Sequence, residues 1–354
     1  MALSGKIPVL IDEWQRVPAV WDAVRRSVDQ GVAPGSYLLA GSAAPERAPT
    51  HTGAGRIVVL RMRPMTLSER GVGSPTVSLS ELLQGTIPPV AGATRLSIVE
   101  YASEIVQTGF PALRNLPPRA LRMQLDGYLQ RIIDTDFPEQ GYPVRRPELL
   151  RRWIDAYAAA TATTASYETI RDAATPGDAD KPARTTTQPY RQVLERLWII
   201  DPLPPWLPSH NYLNRLSRSP KHHLADPGLA ARALGLDGDA LLEREGIMLG
   251  KLFESLVTLG VRVYAQGAEA RVGHLRLHGG RNEVDLIVER ADKKVLAIEV
   301  KLSGAIRDRD VANLHWLRDK IGPNLIDSVV INTGPEAYRR KDGIAVVPYA
   351  LLGP

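Results

Sequence analysis

The sequence lacks cysteine altogether among its 354 residues. Disulfides and thiolate metal sites are therefore excluded, and the absence fits the reducing environment of the cytoplasm, where we expect the protein to act. Long apolar runs are also missing. No window of about 18 uninterrupted apolar residues occurs, so we expect no membrane span. The opening residues, Met1–Lys6, lack the apolar region of a signal peptide.

A phosphate-binding loop is a third absence. No Gly-x-x-x-x-Gly-Lys-Ser/Thr stretch occurs, since Gly5-Lys6 and Gly250-Lys251 both lack the earlier glycine and the following hydroxyl residue. In nucleotide-binding proteins such a loop supplies backbone N–H groups and a lysine to the phosphates. The sequence therefore predicts weak or absent ATP binding by this chain.

The charge balance is mildly basic, with a formal net charge of +5 and an isoelectric point near 9.4. Such a balance permits contact with nucleic acid without requiring it. DNA, a protein partner and a second copy of the chain in a homo-oligomer are the partners that we consider.

Three regions differ in their patterns and together predict an α/β protein. Residues 1–90 predict a partial parallel-sheet domain of the ATPase type. Residues 91–240 predict a helical region with a winged-helix-like segment. Residues 241–354 predict a helix followed by strands, a second helix and a further strand, which indicates an α/β domain around a mixed sheet.

Within the first region, short apolar runs alternate with a helical stretch. We expect a buried strand at Ile7–Ile11, further strands at Tyr37–Ala40 and Arg56–Leu60, and a helix at Trp21–Val28. The stretch Gly71–Gly92 is rich in Gly, Pro, Ser and Thr and predicts a loop or linker.

The first strand ends in two adjacent carboxylates, Asp12 and Glu13. In nucleoside-triphosphate hydrolases a strand of this kind ends beside the phosphates, where the first acid holds Mg²⁺ and the second polarises the attacking water. The second strand ends in Gly41-Ser42, where a small polar residue can contact the γ-phosphate. The alternative is an ordinary strand terminus, because strands often end in Asp or Glu.

Acidic residues also follow the strands near the carboxyl end of the chain. Asp285 lies in one strand, and Glu299-x-Lys301 lies in the next. Two carboxylates on neighbouring strands can chelate Mg²⁺, and a nearby lysine can stabilise the charge that develops on a phosphate. Glu254, in the preceding helix, adds a third carboxylate. The alternative is a half-exposed strand on which Glu299 pairs with Lys301.

This carboxyl-terminal pattern resembles the PD-(D/E)xK nuclease-like fold. The resemblance assigns Asp285 as its first acid, Glu299 and Lys301 as its second element, and Glu254 as its helical acid. It implies a Mg²⁺ site and, as one alternative function, metal-dependent cleavage of a nucleic acid.

The order of motifs along the chain resembles the AAA-type ATPases that carry a C-terminal domain of unknown function. The motifs that carry this resemblance are Ile11-Asp12-Glu13-x-Gln15-Arg16, Leu39-x-Gly41-Ser42, Gly55-Arg56, Met62–Glu69, Thr108-Gly109-Phe110-Pro111, Pro220-Lys221, Asp226-x-Gly228-Leu229 and Leu249–Glu254. The resemblance runs nearly from end to end. It implies ATP and Mg²⁺ as cofactors, Ser42 as a sensor residue and Arg56 as a candidate charge-stabilising arginine.

The family begins with the phosphate-binding loop that this sequence lacks. We therefore expect an amino-terminal truncation before the strand that carries Asp12. We also expect that strand to lose pairing partners, which leaves a sheet edge exposed and prone to association.

The middle region contains a pattern that resembles a winged helix-turn-helix. It consists of Ser166-x-x-Thr169-Ile170, a loop and then Thr187–Ile200, within which we expect a helix from about Gln188 to Leu197. A second helix of this kind can enter the major groove of DNA. The side chains at its start are Arg184, Thr186, Gln188 and Arg191. Helix-turn-helix units also serve as packing modules without nucleic acid.

Three functions follow from these patterns. The first is an AAA-type ATPase family member, impaired in nucleotide binding, that acts on or with DNA or a protein partner. The second is a Mg²⁺-dependent nuclease that uses Glu254, Asp285, Glu299 and Lys301. The third is a non-catalytic module that binds DNA or protein.

Overall fold

The computed structural model of the protein describes residues 6–41, 53–175, 182–208, 219–277, 280 and 282–354. These residues form helices together with parallel and antiparallel strands, which confirms the predicted α/β class. Among the described residues, no helix combines the length and the apolar content needed to cross a membrane.

A two-stranded parallel sheet opens the chain. It is formed by β1 (Val9–Ile11) and β2 (Tyr37–Leu39), which are joined by α1 (Ala19–Asp29). Leu10 lies opposite Leu38 in this pairing, and their side chains are 63% and 61% exposed. The predicted strands are present, but the prediction that the first one is buried is wrong. Strands of parallel sheets are normally covered on both faces, and this exposure fits a pair beside which the described residues place no further strand.

No third strand follows at Arg56–Leu60, so this prediction is also wrong. In the described structure these residues pair with no strand, and Val58, Val59 and Leu60 are 84%, 74% and 74% exposed. A strand forms only where a neighbour satisfies its backbone N–H and C=O groups.

The predicted loop at Gly71–Gly92 is in fact partly regular. It contains strands β3 (Val77–Ser78) and β4 (Gly92–Ala93) and helix α2 (Leu79–Gln84). The Ser78 hydroxyl accepts a hydrogen bond from the N–H of Glu81 and caps the helix. Three buried leucines then anchor the helix in the core, namely Leu79, Leu82 and Leu83.

The middle of the chain is helical, as predicted. Its helices are α3 (Ile98–Val106), α4 (Pro118–Arg131), the short α5 (Phe137–Glu139), α6 (Pro147–Ala159), α7 (Tyr167–Ala173), α8 (Arg184–Arg196), α9 (Pro227–Ala233) and α10 (Gly238–Glu243). After α8 the chain forms what we call the wing segment, residues 199–206 and 219–225. Its two arms meet at the antiparallel bridges Ile200–Leu224 and Leu203–Lys221.

The carboxyl-terminal region contains α11 (Gly246–Gly267), α12 (Ala312–Ile321) and strands β5 (Arg271–Arg276), β6 (Glu283–Glu289), β7 (Val295–Val300), β8 (Leu325–Asn332), β9 (Glu336–Arg339), β10 (Ala345–Pro348) and β11 (Leu352–Gly353). Seven strands form one mixed sheet in the order β4-β9-β10-β8-β7-β6-β5. A separate parallel pair joins β11 to β3. Residues 77–93 therefore supply two strands that pair with strands of the carboxyl-terminal region, namely β3 with β11 and β4 with β9.

Apolar residues cover both faces of the large sheet, because successive side chains of a strand point to opposite sides. In β7, Leu296 and Ile298 belong to the main core with α11, whereas Val295 and Ala297 pack in a second core with α12. Helices on both faces of a mixed sheet are the layered arrangement that the sequence predicts for this region.

Two of the motifs that carry the family resemblance meet in a buried junction. The carboxylate of Asp226 is fully buried and accepts hydrogen bonds from the N–H groups of Gly228, Leu229 and Gly109. Gly228 lies so close to α3 that a Cβ on it would come within 2.7 Å of the Ile105 carbonyl oxygen. These motifs therefore join α9 to the turn after α3.

Candidate functional site

The parallel pairing of β1 with β2 places the ends of both strands at one edge of their sheet. Asp12 follows β1 directly and is exposed, and its Oδ1 accepts a hydrogen bond of 3.0 Å from the N–H of Glu13. The Ala40 N–H donates to the Ile11 carbonyl, so Gly41 lies near the same edge. Ser42 lies outside the described residues.

The side chain of Gln15 connects Glu13 to Gly41. Its Nε2 donates to the Glu13 carboxylate at 2.7 Å, and a Cβ on Gly41 would lie 2.3 Å from its Oε1. Glu13 itself has a left-handed backbone, with φ of 50°. The carboxylate that the sequence assigns to water activation is thus engaged by a neighbouring amide.

Arg56 makes an ion pair with Asp29, the last residue of α1. This hydrogen bond lowers the pKa of the Asp29 carboxyl. The pair joins the segment after the second strand to the first helix. Its role in charge stabilisation stays a prediction.

The four site residues predicted from the carboxyl-terminal pattern, Glu254, Asp285, Glu299 and Lys301, come from α11, from β6, and from β7 and the residue after it. Asp285 precedes Leu286, which pairs with Ile298 in the antiparallel β6–β7 ladder, so Asp285 and Glu299 occupy neighbouring positions. The Asp285 Oδ2 accepts the N–H of Val300 at 2.9 Å, and Lys301 Nζ lies 2.9 Å from Glu299 Oε2. Glu254 comes from α11, and its side chain is 15% exposed.

A fifth residue, Lys221, lies at the centre of this acid cluster. Its ammonium nitrogen is 2.7 Å from Glu254 Oε1, 3.1 Å from Asp285 Oδ1 and 3.3 Å from Glu283 Oε1. The Lys221 side chain is 1% exposed. An ammonium group has three N–H donors, and each of them has a carboxylate within reach.

The wing segment positions Lys221 through its backbone. The Lys221 N–H donates to the Leu203 carbonyl at 3.0 Å, and the Leu203 N–H donates back at 2.8 Å. The wing segment in turn bridges to β5 between Pro205 and His274. The lysine therefore reaches the acids from the edge of the large sheet.

Burial and charge together shift the pKa values in this cluster. Burial and the Asp285 carboxylate raise the pKa of Glu254 to about 8. Burial also opposes the charge on Lys221, but the carboxylates of Asp285, Glu254 and Glu283 outweigh it and raise the pKa of this lysine. The surrounding carboxylates therefore favour the charged form of Lys221.

Glu299 differs from the other acids of the cluster. Its side chain is 4% exposed, and burial, followed by the neighbouring Asp285 carboxylate, raises its pKa well above the ordinary value. The pKa of Asp285 is lowered: burial opposes its ionisation, but Lys221 and then Lys301 outweigh that effect. The pKa values of these two adjacent acids thus shift in opposite directions.

The fit of this cluster to Mg²⁺ can be judged from its geometry. The carboxylate oxygens are ligands that Mg²⁺ prefers. However, the oxygens of Glu254, Glu283 and Asp285 that converge on one point are already bound by the Lys221 ammonium. In the part of the chain that the structure describes, no group of three His, Cys, Asp or Glu side chains has an arrangement suited to a metal ion. As arranged, these residues do not fit the ion.

Sequence reasoning found four members of the cluster and missed Lys221 and Glu283 as contacts. Lys221 belongs to the Pro-Lys motif that carries the family resemblance. This motif was the one feature of the sequence that pointed to Lys221. The lysine is separated from Glu254 by 33 residues and from Asp285 by 64. No local periodicity connects positions so far apart.

The predicted groove-contacting residues of α8 differ in exposure and in their contacts with α7. Arg184, Thr186 and Gln188 are exposed. Arg191 instead lies with its guanidinium carbon 4.6 Å from the centre of the Tyr167 ring, and Arg184 pairs with Glu168 of α7. These contacts hold α7 against α8, and DNA contact by this face stays a prediction.

Comparison with known families gives three matches along the chain. An AAA domain matches residues 1–70, a domain of unknown function called DUF8612 matches residues 99–240, and a second one, DUF4143, matches residues 249–352. The first and last matches confirm the resemblance to AAA-type ATPases with a C-terminal domain of unknown function that the motifs indicate. The chain combines an AAA domain at its amino end with a C-terminal domain of unknown function, as in AAA-type ATPases of that kind.

Two curated mycobacterial proteins, both named as uncharacterised proteins, resemble this chain. Proteins named Rv2008c of Mycobacterium tuberculosis and Mb2031c of Mycobacterium bovis are each 29% identical over 262 residues, which is 73% of this chain and 51% of theirs. The chain thus spans about half the length of the curated relatives it matches. A solved structure, protein VC1899 from Vibrio cholerae, is 18% identical over 72% of this chain and 58% of its own, with a TM-score of 0.23.

Proposed function

We propose that this chain is an AAA-type ATPase family member that, as it stands, binds nucleotide weakly. It acts through its helical and carboxyl-terminal regions on a protein partner or on DNA. The observation that carries the family part is the match of an AAA domain to residues 1–70. The edge that joins Asp12 to Gly41 supports it, because an acid after one parallel strand and a small residue after its neighbour suit a triphosphate with Mg²⁺.

Weak binding is supported by two features. The sequence holds no Gly-x-x-x-x-Gly-Lys-Ser/Thr loop to grip the phosphates. Asp12 is exposed to solvent, where an isolated carboxylate binds a magnesium nucleotide poorly.

Isothermal titration with ATP and Mg²⁺ tests this part of the proposal. We expect a dissociation constant weaker than about 1 mM, corresponding to roughly 4 kcal/mol of binding free energy. Asp12→Asn serves as the matched control and should not change the result. A micromolar dissociation constant that Asp12→Asn weakens would contradict weak binding and would assign the acid to an intact nucleotide site.

A Mg²⁺-dependent nuclease is the second candidate, and one specific observation favours it. Asp285 lies beside Glu299 and Lys301 on neighbouring strands, and Glu254 reaches Asp285 through their shared contact with Lys221, which suits the PD-(D/E)xK resemblance. The position of Lys221 opposes it, because this ammonium takes the oxygens that a metal ion needs. The geometry therefore favours a non-catalytic carboxyl-terminal domain.

Incubation of supercoiled plasmid with the protein and Mg²⁺ or Mn²⁺ separates the two readings. We expect no nicking above background. Nicking that disappears in both Asp285→Ala and Lys301→Ala would establish the nuclease. Nicking that persists in both variants would point to a contaminating enzyme, and the expectation for this chain would stand.

A further inference from the structure

The cluster of Glu254, Glu283 and Asp285 gathers three carboxylates around a single point. Carboxylates on separate elements repel one another, and a gathering of this kind needs a cation. That cation is the Lys221 ammonium, which lies between 2.7 and 3.3 Å from all three. The protein thus supplies the positive charge from its own chain.

Two further basic side chains form ion pairs with acids at the border of this cluster. Arg276 Nη1 lies 3.2 Å from Glu283 Oε2, and Lys301 Nζ lies 2.9 Å from Glu299 Oε2. Three basic side chains therefore face four acidic ones, and every acid has a basic partner. A divalent ion added to this arrangement would have to displace a buried ammonium whose backbone is fixed on the wing segment.

We propose that Lys221 is a built-in substitute for a divalent metal, so that the carboxyl-terminal acid site holds its structure without any metal ion and excludes one. The same ammonium fastens the wing segment to the α/β domain. This inference rests on the geometry of the acid cluster and is independent of nucleotide binding at the amino-terminal end.

Mn²⁺ binding, followed by electron paramagnetic resonance of the full chain, tests the inference directly. Wild-type protein should leave Mn²⁺ free. Lys221→Met removes the charge and keeps the length of the side chain, and should bind one Mn²⁺ at least about tenfold more tightly, because a unit charge some 3 Å from the ligands is gone. The double variant Lys221→Met with Asp285→Asn should lose that binding.

Lys301→Met is the matched control. It removes the other lysine of the cluster, whose carboxylate partner is Glu299 and whose side chain is 32% exposed. The fraction of Mn²⁺ that stays unbound should be the same with this variant as with the wild-type protein. Gain of binding in this variant equal to that in Lys221→Met would overturn the assignment to Lys221.

The wild-type measurement keeps the inference testable even where Lys221→Met fails to fold. Wild-type protein should melt at the same temperature in Mn²⁺ and in EDTA. A rise of several degrees in Mn²⁺ that Asp285→Asn abolishes would overturn the inference. A folded Lys221→Met variant that binds no Mn²⁺ would also overturn it, since the site would then not be one for a divalent cation.

Discussion

Asp201 of the wing segment lies 2.9 Å from Arg262 of α11, with its Oδ1 toward the guanidinium Nη2. Arg61 and Arg63, from the irregular segment after the first strands, approach the same carboxylate at 2.6 and 2.8 Å. Asp201 is 5% exposed. One carboxylate thus joins three regions of the chain, including the segment that lacks strand partners.

Asp201→Asn should destabilise the protein at neutral pH by about 3 kcal/mol, because three guanidinium groups lose their shared charge partner. Burial opposes ionisation of Asp201, but Arg262, Arg61 and Arg63 outweigh it and lower its pKa. Since the folded pKa lies below the unfolded one, the stabilisation is complete above the unfolded value, near 4, and is lost as the pH falls through the folded value.

Urea unfolding of the wild type and of Asp201→Asn at several pH values measures this effect. The difference between them should be largest at neutral pH and should shrink below about pH 4. Asp29→Asn, which removes an exposed partner of Arg56, is the control and should cost much less. A difference that is independent of pH down to pH 3 would count against the charge explanation.

Asp226→Ala should lower the free energy of unfolding by about 3 kcal/mol. The variant removes a helix cap and leaves the buried N–H groups of Gly109, Gly228 and Leu229 without an acceptor. Chemical denaturation checks the value. Asp226→Asn keeps one acceptor oxygen and should lose less. Equal losses in the two variants would show that the charge of Asp226 matters more than its hydrogen bonds.

Replacing both Leu10 and Leu38 by threonine should reduce self-association of the protein. The two leucines form an exposed apolar pair on strands β1 and β2, and such strands associate. Threonine keeps the preference for a strand, so stability should change by no more than about 0.5 kcal/mol. Sedimentation velocity over a range of concentrations measures the change. Unaltered association would direct attention to the exposed Val58–Leu60 stretch instead.

Lys221→Met should destabilise the wild-type fold in metal-free buffer by about 3–5 kcal/mol, since it leaves buried carboxylates without their cation. Lys301→Met should cost less, because its side chain is 32% exposed and its ion pair with Glu299 is partly screened by water. Guanidinium unfolding in EDTA at pH 7 compares the two. A loss in Lys301→Met as large as that in Lys221→Met would disagree with the central position of Lys221.

Much of the carboxyl-terminal fold could be predicted from the sequence, because the nearly continuous apolar runs of β6 and β7 are typical of strands that are buried on both faces. The same runs placed Asp285 and Glu299 on neighbouring strands. Lys221 could not be placed in this way. Its position depends on the path of the wing segment, which is set by tertiary contacts with Leu203 and β5.

The errors near the amino end have a common physical cause. The apolar run at Arg56–Leu60 has the composition of a strand, but composition cannot supply the neighbouring strand that its backbone requires. The helix at Leu79–Gln84 was missed although Ser78-x-x-Glu81 is a helix-start signal. Nearby Gly and Pro residues obscured it.

Strand β4 pairs with β9 at Gly92–Ala337, and β3 pairs with β11 at Val77–Leu352. One edge strand of the carboxyl-terminal sheet, β4, therefore comes from residues more than two hundred positions before its partner β9 in the sequence. A fragment that begins near residue 241 would leave the backbone N–H and C=O groups at the edge of β9 unpaired. Such an exposed edge promotes aggregation between copies of the fragment. We therefore expect the carboxyl-terminal region to need residues 72–95 when it is expressed separately.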